Sequence, residues 1–399
     1  MRIIEVSAFV AAPSGGMALA QLGAEVIRID PPGGGLDYRR WPVTGSNASL
    51  FWAGLNKGKK SVVIDILHPE GRELAQALIG APGPDAGILL TNMPPRGWLD
   101  YESLKRRRED LIQLTVMGDR HGGSAVDYTL NARLGFPLLT GPATRDGVVN
   151  HVLPAWDLIT GQMAAVGLLV AERYRRLHSA GQHIRLPLED VGLSVMGHLG
   201  FIAEAEAGGE RGRYENDLFG AFGRDFLTRD KRRIMVVALT HKQWRALCRA
   251  LAMESQVADL AQRRQVDLSL EGERFRAREA IADIVRDKIS RIDYGGLAER
   301  FRSCGVCWGL YQSVPELVRE DRECSPDNPM FSHVTQPGIG QTLTPASALN
   351  SSVGRLPARP APVLGQHTEA VLADLLGIGS GQIGQYIDRG LIARSPGDA

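Results

Sequence analysis

Short apolar segments alternate with amphipathic ones through the first 117 residues, and this alternation limits the fold more than any other feature. A strand–helix–strand unit opens the chain, because apolar Ile3–Val6 is followed by a helix pattern and then by Glu25–Asp30. The other predicted segments are strands at 61–66, 86–91 and 111–117 and helices at about 13–22, 69–79 and 101–108. This alternation predicts an α/β fold with a mostly parallel sheet and helices on both faces.

The pattern changes in the second half of the chain. A charged, glycine-rich segment at 205–217 is typical of a linker, and two antiparallel strands are predicted at 226–230 and 231–240. Mostly helical segments follow as far as about residue 328. Because 399 residues are too many for one simple core, we predict a second, smaller α+β domain here.

Composition argues against several classes of partner. The formal net charge is +1, which gives no bulk electrostatic reason to bind nucleic acid or an acidic membrane. We find no run of roughly 18 apolar residues that could span a membrane, and no recognisable secretory signal.

Cys304 and Cys307 form one C-x-x-C pair, but no second pair completes a zinc site. We therefore expect a cytoplasmic protein with reduced thiols and no metal.

The segment 149–177 carries the strongest candidate for chemistry. Asp157 precedes an apolar helix pattern from Leu158 to Ala171. Small residues in that pattern let neighbours come close, and they are Gly161, Ala164, Ala165 and Gly167. We predict a helix that is buried on most sides. The positive end of its dipole favours an ionised Asp157, which could serve as a nucleophile, although a simple helix cap is the more common explanation of this local pattern.

Several basic residues are predicted near the carboxyl ends of the parallel strands, where such sheets bind ligands. These residues are Arg39, Arg40, Lys57, Lys59, Lys60 and Arg96. They could form a rim that binds phosphate groups, or they could be ordinary solvated charges of surface loops. Neither G-x-G-x-x-G nor G-K-[ST] follows the first strand. The dinucleotide fingerprint and the Walker A loop are therefore excluded there.

Segments along the whole chain resemble family III CoA-transferases. The resemblance is carried by AAPSGGMALAQLGAEVIRIDPPGGG (11–35), LNKGKKSVVIDILHPEGREL (55–74), TNMPPRGWLDYESL (91–104), WDLITGQMAAVGLLVAERYRRLHSAGQHIRLPLEDV (156–191) and APVLGQHTEAVLADLLG (361–377). In this family, the aspartate at the position of Asp157 is the catalytic nucleophile. The resemblance therefore implies that Asp157 is catalytic and reverses the preference for a simple cap.

The resemblance also implies an architecture. It implies a large Rossmann-like, CoA-binding domain built from both chain ends, at 1–208 and 332–399, and a smaller domain at 209–331. Two subunits of such enzymes interlock like links of a chain, which implies a homodimer. Interlocking is exceptional among protein folds, and the sequence pattern alone does not predict it.

Further site residues are expected with this resemblance. The residues expected to bind CoA are Val10, Ala11, Lys59, Asn92, Arg96 and Tyr128. The residues expected to bind the acid are Arg40, Gly220, Gly223 and Arg224. Arg40 or Arg224 would hold the non-reacting carboxylate, and backbone N–H groups near Gly220–Gly223 would stabilise oxyanions. No cofactor is expected besides the CoA of the substrate.

Two departures from the family pattern bear on the substrate. Formyl-CoA:oxalate transferases have a glutamine where this chain has Val10, and a run of glycines where this chain has FGAFGRD (219–225). These differences favour an acid that is larger and partly apolar. Further segments that resemble members of the family include 7–13, 33–44 and 122–131. Together with the two departures, this resemblance implies a CoA shift between the two carboxyls of one methyl-branched, unsaturated C4 dicarboxylate.

Other functions stay open at this point. An intermolecular CoA-transferase would differ only in releasing the free acid. A non-catalytic CoA-binding protein would keep the fold, but the presence of Asp157 argues against it. A racemase of the related group would need a proton-transfer pair, for which His151 is the only local candidate.

Overall fold

The computed structural model describes residues 1–142 and 147–395. Its strands are β1 (Arg2–Val6), β2 (Glu25–Asp30), β3 (Lys60–Ile64), β4 (Ile88–Thr91), β5 (Ile112–Met117), β6 (Gln182–Pro187), β7 (Phe222–Leu227), β8 (Arg233–Ala238), β9 (Cys307–Leu310), β10 (Phe331–Gln336), β11 (Gly340–Pro345) and β12 (Ile392–Ala393).

The helices, also in chain order, are α1 (Ala11–Gln21), α2 (Leu50–Leu55), α3 (Pro69–Ile79), α4 (Tyr101–Lys105), α5 (Asp127–Arg133), α6 (Phe136–Leu139), α7 (Ala155–His178), α8 (Leu188–His198), α9 (Phe201–Glu206), α10 (His241–Leu251), α11 (Glu254–Arg264), α12 (Glu271–Arg276), α13 (Arg278–Ile289), α14 (Tyr294–Cys304), α15 (Val314–Glu320), α16 (Thr368–Leu376) and α17 (Ser380–Asp388).

The described chain divides into two compact units. The larger comprises Met1–Leu134, Val152–Gly209 and the chain from Asp321 onward, and the smaller comprises the described residues of Gly135–His151 together with Glu210–Glu320. The sequence-based boundaries lay at 208/209 and 331/332, and they assigned 135–151 to the large domain. No sequence pattern marks 135–151 as part of the smaller unit.

A mainly parallel sheet forms the centre of the larger unit. Within the described ranges it has seven strands in the order β12–β3–β2–β1–β4–β5–β6, with β12 antiparallel to β3. The part from β3 to β6 has the strand order of a doubly wound Rossmann-type sheet. The winding direction reverses between β1 and β4, which pair in parallel. The predicted parallel sheet is confirmed, and the carboxyl ends of β1 and β4 meet at the edge where such sheets bind ligands.

Helices cover both faces of this sheet, as predicted. One core contains residues of α1 and α7, and the other contains residues of α3, α16 and α17. The backbone N–H of Val63 in β3 donates to Oγ1 of Thr368, the first residue of α16. Both ends of the chain therefore build the same unit.

Helices α1 and α7 approach each other closely because both have glycine at the crossing. A Cβ atom on Gly161 would lie 2.0 Å from Ser14 Oγ and 2.6 Å from Ala11 O. A Cβ atom on Gly15 would lie 2.6 Å from Gly161 O. The predicted close approach of small residues is therefore confirmed, and it places the second turn of α7, which contains Gly161, against the start of α1.

Within this single chain, α7 is not buried on most sides, contrary to the expectation. Its inner face is buried, but an apolar stripe on the other face is exposed within this chain; it comprises Ile159, Met163, Val166, Val170, Tyr174 and Leu177. An apolar run without polar interruptions cannot show which of its faces packs inside the same chain.

The smaller unit has its own core. Strands β7, β8 and β9 form an antiparallel sheet, which confirms the predicted strand pair, and their apolar residues pack with α10, α11, α13 and α14. The sequence predicts two continuous helices, at about 189–206 and 271–290, and each of them is divided in two. Gly200, with φ of 78°, separates α8 from α9, and Ala277 separates α12 from α13. In the part of the chain that is described, no helix is long and apolar enough to cross a membrane.

Candidate active site

A cavity of about 330 Å³ lies at the carboxyl edge of the parallel sheet, where β1 and β4 diverge. The loops after β1, β4 and β5 and the start of α7 contribute to its walls. Six residues predicted to bind CoA, bind the acid or act in catalysis line this one cavity; they are Val10, Ala11, Arg40, Asn92, Tyr128 and Asp157.

Asp157 is the third residue of α7, and its carboxylate has no hydrogen bond to any described residue. Its pKa is raised to about 6, chiefly because burial disfavours the charged form and also because the carboxylate of Asp127 is near; Arg40 acts in the opposite direction. We expected the helix dipole to favour the ionised form. Burial and a like charge outweigh that effect, but Asp157 is still mostly ionised at neutral pH.

Asp127 is a residue of this site that the sequence did not reveal. Its Oδ2 accepts hydrogen bonds from the backbone N–H groups of Trp156, at 2.7 Å, and Asp157, at 3.2 Å. These are N–H groups of the first turn, which no earlier turn of the helix can satisfy. The cap of α7 is therefore Asp127 from another helix rather than Asp157. No local pattern links residues so far apart in the chain.

Arg40 brings a positive charge to the cavity. Its guanidinium lies over the rings of Phe9 and Phe51, at 5.6 and 5.2 Å from their centroids. Phe9 has a left-handed backbone with φ of 68°, and its N–H donates to Oδ2 of the buried Asp37 at 3.0 Å. Asp37 in turn accepts from the buried Arg28 at 2.8 Å. Buried charges thus fix the aromatic support of Arg40.

Asn92 joins the two loops at the point where β1 and β4 diverge. Its Oδ1 accepts from the N–H of Ala8 at 3.1 Å, and its Nδ2 donates to the carbonyl of Ala8 at 2.8 Å. Val10 and Ala11 stand at the start of α1 and form an apolar wall of the cavity. Tyr128 lines the cavity with its side chain about half exposed.

Lys59 does not lie on a phosphate-binding rim, contrary to the sequence-based expectation. Its ammonium is fully buried and donates to Glu5 Oε1 at 2.8 Å, the Pro13 carbonyl at 2.9 Å and Asn56 Oδ1 at 2.9 Å. Burial lowers its pKa to about 8. A phosphate cannot reach this group without breaking the fold. In the sequence, Lys57, Lys59 and Lys60 stand side by side before an apolar strand, and this pattern does not show which of the lysines is buried.

The other predicted cations differ in their surroundings. Lys60 pairs with Glu25 at 2.6 Å, and the Lys57 ammonium donates to the Gly54 carbonyl at 2.8 Å. Arg96 is exposed at the end of the loop that follows β4, so its guanidinium is accessible to an anion. Arg39 is exposed, but it lines a cavity other than that of Asp157. Of the predicted rim, Arg40, which lines the Asp157 cavity, and the exposed Arg96 are the cations best suited to bind a ligand there.

Gly220, Gly223 and Arg224 belong to the smaller unit. The Arg224 guanidinium pairs with Asp217 and with Glu279, at 2.5 and 2.6 Å, and these hydrogen bonds raise its pKa further above its ordinary value. Two carboxylates already neutralise it, so the structure does not support Arg224 as the cation for the substrate. Gly220 has φ of 81°, a backbone conformation that favours glycine.

None of the four cysteines lines this cavity. Cys248, Cys304, Cys307 and Cys324 are free thiols, and burial raises the pKa of Cys248 to about 12. Among the described residues, no group of three or more His, Cys, Asp or Glu side chains could hold a metal ion.

Comparison with known proteins now identifies the family. The family model described as CoA-transferase family III matches residues 1–368. The chain belongs to CoA-transferase family III. It is therefore an enzyme of the CoA-transferase class, and the resemblance noted from its sequence segments is confirmed.

Individual proteins are similar over nearly the whole chain. The 2-methylfumaryl-CoA isomerase of Chloroflexus aurantiacus is 52% identical over 396 residues, covering 98% of this chain and 97% of the relative. The succinyl-CoA:mesaconate CoA-transferase of Haloarcula hispanica is 25% identical over 407 residues, with 96% of each chain covered. A CAIB/BAIF family protein from Brucella suis has the same fold, with a TM-score of 0.73, 22% identity and coverage of 94% of this chain and 98% of that one.

Proposed function

We propose that this enzyme moves CoA between the C1 and C4 carboxyls of mesaconyl-CoA, converting 2-methylfumaryl-CoA into 3-methylfumaryl-CoA without releasing the acid. The similarity to the Chloroflexus isomerase supports this choice among CoA-transferase reactions. The structural observation that carries the chemistry is the Asp157 carboxylate, which is partly buried and without a hydrogen-bond partner among the described residues, in the same cavity as Arg40.

The first half of the reaction frees the acid from CoA. Asp157 attacks the C1 thioester carbonyl and expels CoA thiolate, which leaves a mixed anhydride between Asp157 and the acid. The thiolate then attacks the aspartyl carbonyl of this anhydride. That step forms an aspartyl-CoA thioester and releases the dicarboxylate within the site.

The second half reverses these steps at the other end of the acid. After the dicarboxylate turns, its C4 carboxylate attacks the aspartyl thioester and expels CoA thiolate, which forms a second anhydride. The thiolate attacks the C4 acyl carbonyl, so that the product thioester forms and the Asp157 carboxylate is regenerated. Every bond that breaks is matched by one that forms, and the steps require no metal or redox cofactor.

Charge and shape in the cavity support a methyl-branched diacid. Arg40 is suited to hold the carboxylate that is not reacting, by charge-assisted hydrogen bonds. Apolar walls surround it, from Phe9, Val10, Phe51 and Val116, which suit the methyl group and the unsaturated carbons. We propose that CoA itself extends along Ala11, Asn92 and Tyr128 toward the exposed Arg96. Oxyanion stabilisation by the backbone of Gly220–Gly223 stays a prediction from the resemblance.

An isotope experiment tests whether the acid stays bound. The enzyme would turn over mesaconyl-CoA in the presence of excess labelled free mesaconate. We expect unlabelled product, formed at a rate that does not depend on the added acid. Label entering the product ester as fast as turnover would instead establish an intermolecular transferase, the reaction class that the Haloarcula relative is named for.

We further propose that the enzyme is a homodimer and that a second copy covers the exposed stripe of α7. Met163, Val166 and Val170 are each about half exposed, and an apolar stripe of this length is typical of a protein interface. A Val166→Glu, Val170→Glu variant should shift the mass measured by light scattering toward the monomer. An unchanged dimer mass would exclude this face as the interface. A cytoplasmic location stays a prediction from the sequence.

A further inference from the structure

We propose that Asp127 is a positioning residue for the nucleophile: its carboxylate anchors the first turn of α7 and places a negative charge beside Asp157. This inference rests on the proposed role of Asp157 in CoA transfer. It goes beyond that role because it assigns a task to a residue that does not itself attack the substrate.

The geometry assigns the anchoring task to one oxygen of Asp127. Helix α7 begins after Pro154, whose side chain cannot cap it. Oδ2 of Asp127 takes over that task by accepting the N–H groups of Trp156 and of Asp157 itself. The backbone of the nucleophile is thereby fixed to α5. An error of about 1 Å in the placement of a reacting group can cost roughly a hundredfold in rate.

Anchoring alone does not explain why the residue is an aspartate. Asn would cap the helix without the cost of a buried charge, because its amide oxygen accepts the same N–H groups. Yet Asp127 is only 2% exposed, and its Oδ1 is buried with no hydrogen-bond partner among the described residues. Its unshared charge is therefore available to act on the cavity that it lines together with Asp157.

The charge of Asp127 acts on the reactivity of its neighbour. The titratable or charged residues that line this cavity are Arg40, Asp127, Tyr128 and Asp157. Asp127 opposes ionisation of Asp157, whereas Arg40 favours it. A carboxylate that is held near a like charge and away from water is more basic, and hence a stronger nucleophile, than one that is stabilised by hydrogen bonds.

Two substitutions separate anchoring from charge. Asp127→Asn keeps an acceptor for both N–H groups but removes the charge, whereas Asp127→Ala removes both. Asp100→Asn is the matched control, because Asp100 caps α4 through the Ser103 N–H and does not line the cavity. In each variant, ¹³C NMR of carboxyl-labelled aspartate follows the titration of Asp157 without substrate, with its signal identified by its loss in Asp157→Asn.

We expect Asp127→Asn to move the Asp157 titration midpoint toward lower pH and to move the acid limb of kcat/KM with it. Asp127→Ala should additionally lower kcat by roughly a hundredfold. Asp100→Asn should leave midpoint and rate unchanged. An unchanged Asp157 midpoint in Asp127→Asn overturns the proposal, whether or not Asp127→Ala folds. A shifted midpoint in an enzyme that does not isomerise mesaconyl-CoA supports Asp127 but refutes the proposed reaction.

Discussion

At the scale of single residues, the surroundings of Asp157 disfavour its charged form, and the ionised carboxylate in turn lowers the stability of the fold. Burial and Asp127 raise its pKa from 3.8 to about 6. The unfolded chain therefore loses this proton at a lower pH than the folded protein does, so ionised Asp157 destabilises the fold at neutral pH. A residue that reacts readily because its charge is poorly solvated lowers stability for the same reason.

Asp157→Asn should therefore abolish turnover and stabilise the protein. We expect activity to fall by several orders of magnitude, because a nucleophile is lost. The raised pKa corresponds to on the order of 2–3 kcal/mol, or a rise in Tm of a few degrees at pH 8. The Tm difference between the two proteins should be near zero below about pH 4, grow between the unfolded pKa of 3.8 and the folded pKa of about 6, and stay constant at higher pH. Near-normal turnover, or a lower Tm at pH 8, would contradict this prediction.

Substitution of Arg40 tests the cation of the cavity. Arg40→Gln should lower kcat/KM for the dicarboxylic acyl-CoA by roughly tenfold to a hundredfold, because a charge-assisted hydrogen bond to the free carboxylate is lost. The acid limb of the pH profile should move above pH 6, since Arg40 favours ionised Asp157. Arg39→Gln is the control, because Arg39 lines a different cavity. Equal effects of both substitutions on kcat/KM would show that only the general surface charge matters.

The sequence revealed residues whose role is local and missed those whose role depends on distant partners. Val10, Asn92 and Asp157 follow or precede recognisable elements, and all three line the cavity. Asp127 was missed because its partners, in α7, are remote in sequence. Lys59 was misjudged because its burial depends on Glu5, which is 54 positions away.

At the scale of elements, the crossing of α1 and α7 connects packing to catalysis. Gly161→Ala would place a methyl group 2.6 Å from the Ala11 carbonyl, which is backbone and cannot move freely. The start of α7 would shift, so we expect kcat to fall by roughly tenfold or more together with a loss of stability. Gly167→Ala on the same helix is the control.

A Cβ atom on Gly167 meets only the flexible end of Leu114, at 3.1 Å. Alanine there should be tolerated in activity and should favour the helix by up to about 1 kcal/mol. The thermal unfolding midpoint and kcat, measured for both variants, test whether only the alanine at position 161 disturbs the fold and the activity. If Gly161→Ala behaves like Gly167→Ala, the close helix crossing does not hold Asp157 in place.

Element types were predictable from the sequence, but their ends and exposed faces were not. The strands at Ile3–Val6 and Glu25–Asp30 follow from apolar periodicity, and the structure places them within one residue of the predicted bounds. The break at Gly200 was missed because an isolated glycine can also occur within a helix. The exposure of the outer face of α7 was misjudged because an uninterrupted apolar run does not show which of its faces packs inside the same chain.

At the scale of the whole molecule, residues 368–393 help to build the unit that contains the Asp157 cavity. The family model ends at residue 368, yet α16, α17 and β12 lie almost entirely beyond it. Leu372 and Ile383 belong to the same core as Ile64 and Leu89 of the parallel sheet. The sequence predicts helix-forming segments at 367–376 and 382–391, but only the resemblance to the family assigns them to the first domain.

Ile383→Ala tests whether this terminal segment supports the sheet. Ile383 is 4% exposed, so its truncation should cost roughly 2–5 kcal/mol of unfolding free energy. Because the cavity lies in the same unit, thermal loss of activity should follow the lowered unfolding midpoint, while kcat well below that midpoint should be unchanged. Gln385→Ala, at an exposed position of the same helix, is the control. If denaturation of Ile383→Ala began at a lower temperature without loss of activity, α17 would be unfolding separately from the sheet, and the two chain ends would not form one cooperative unit.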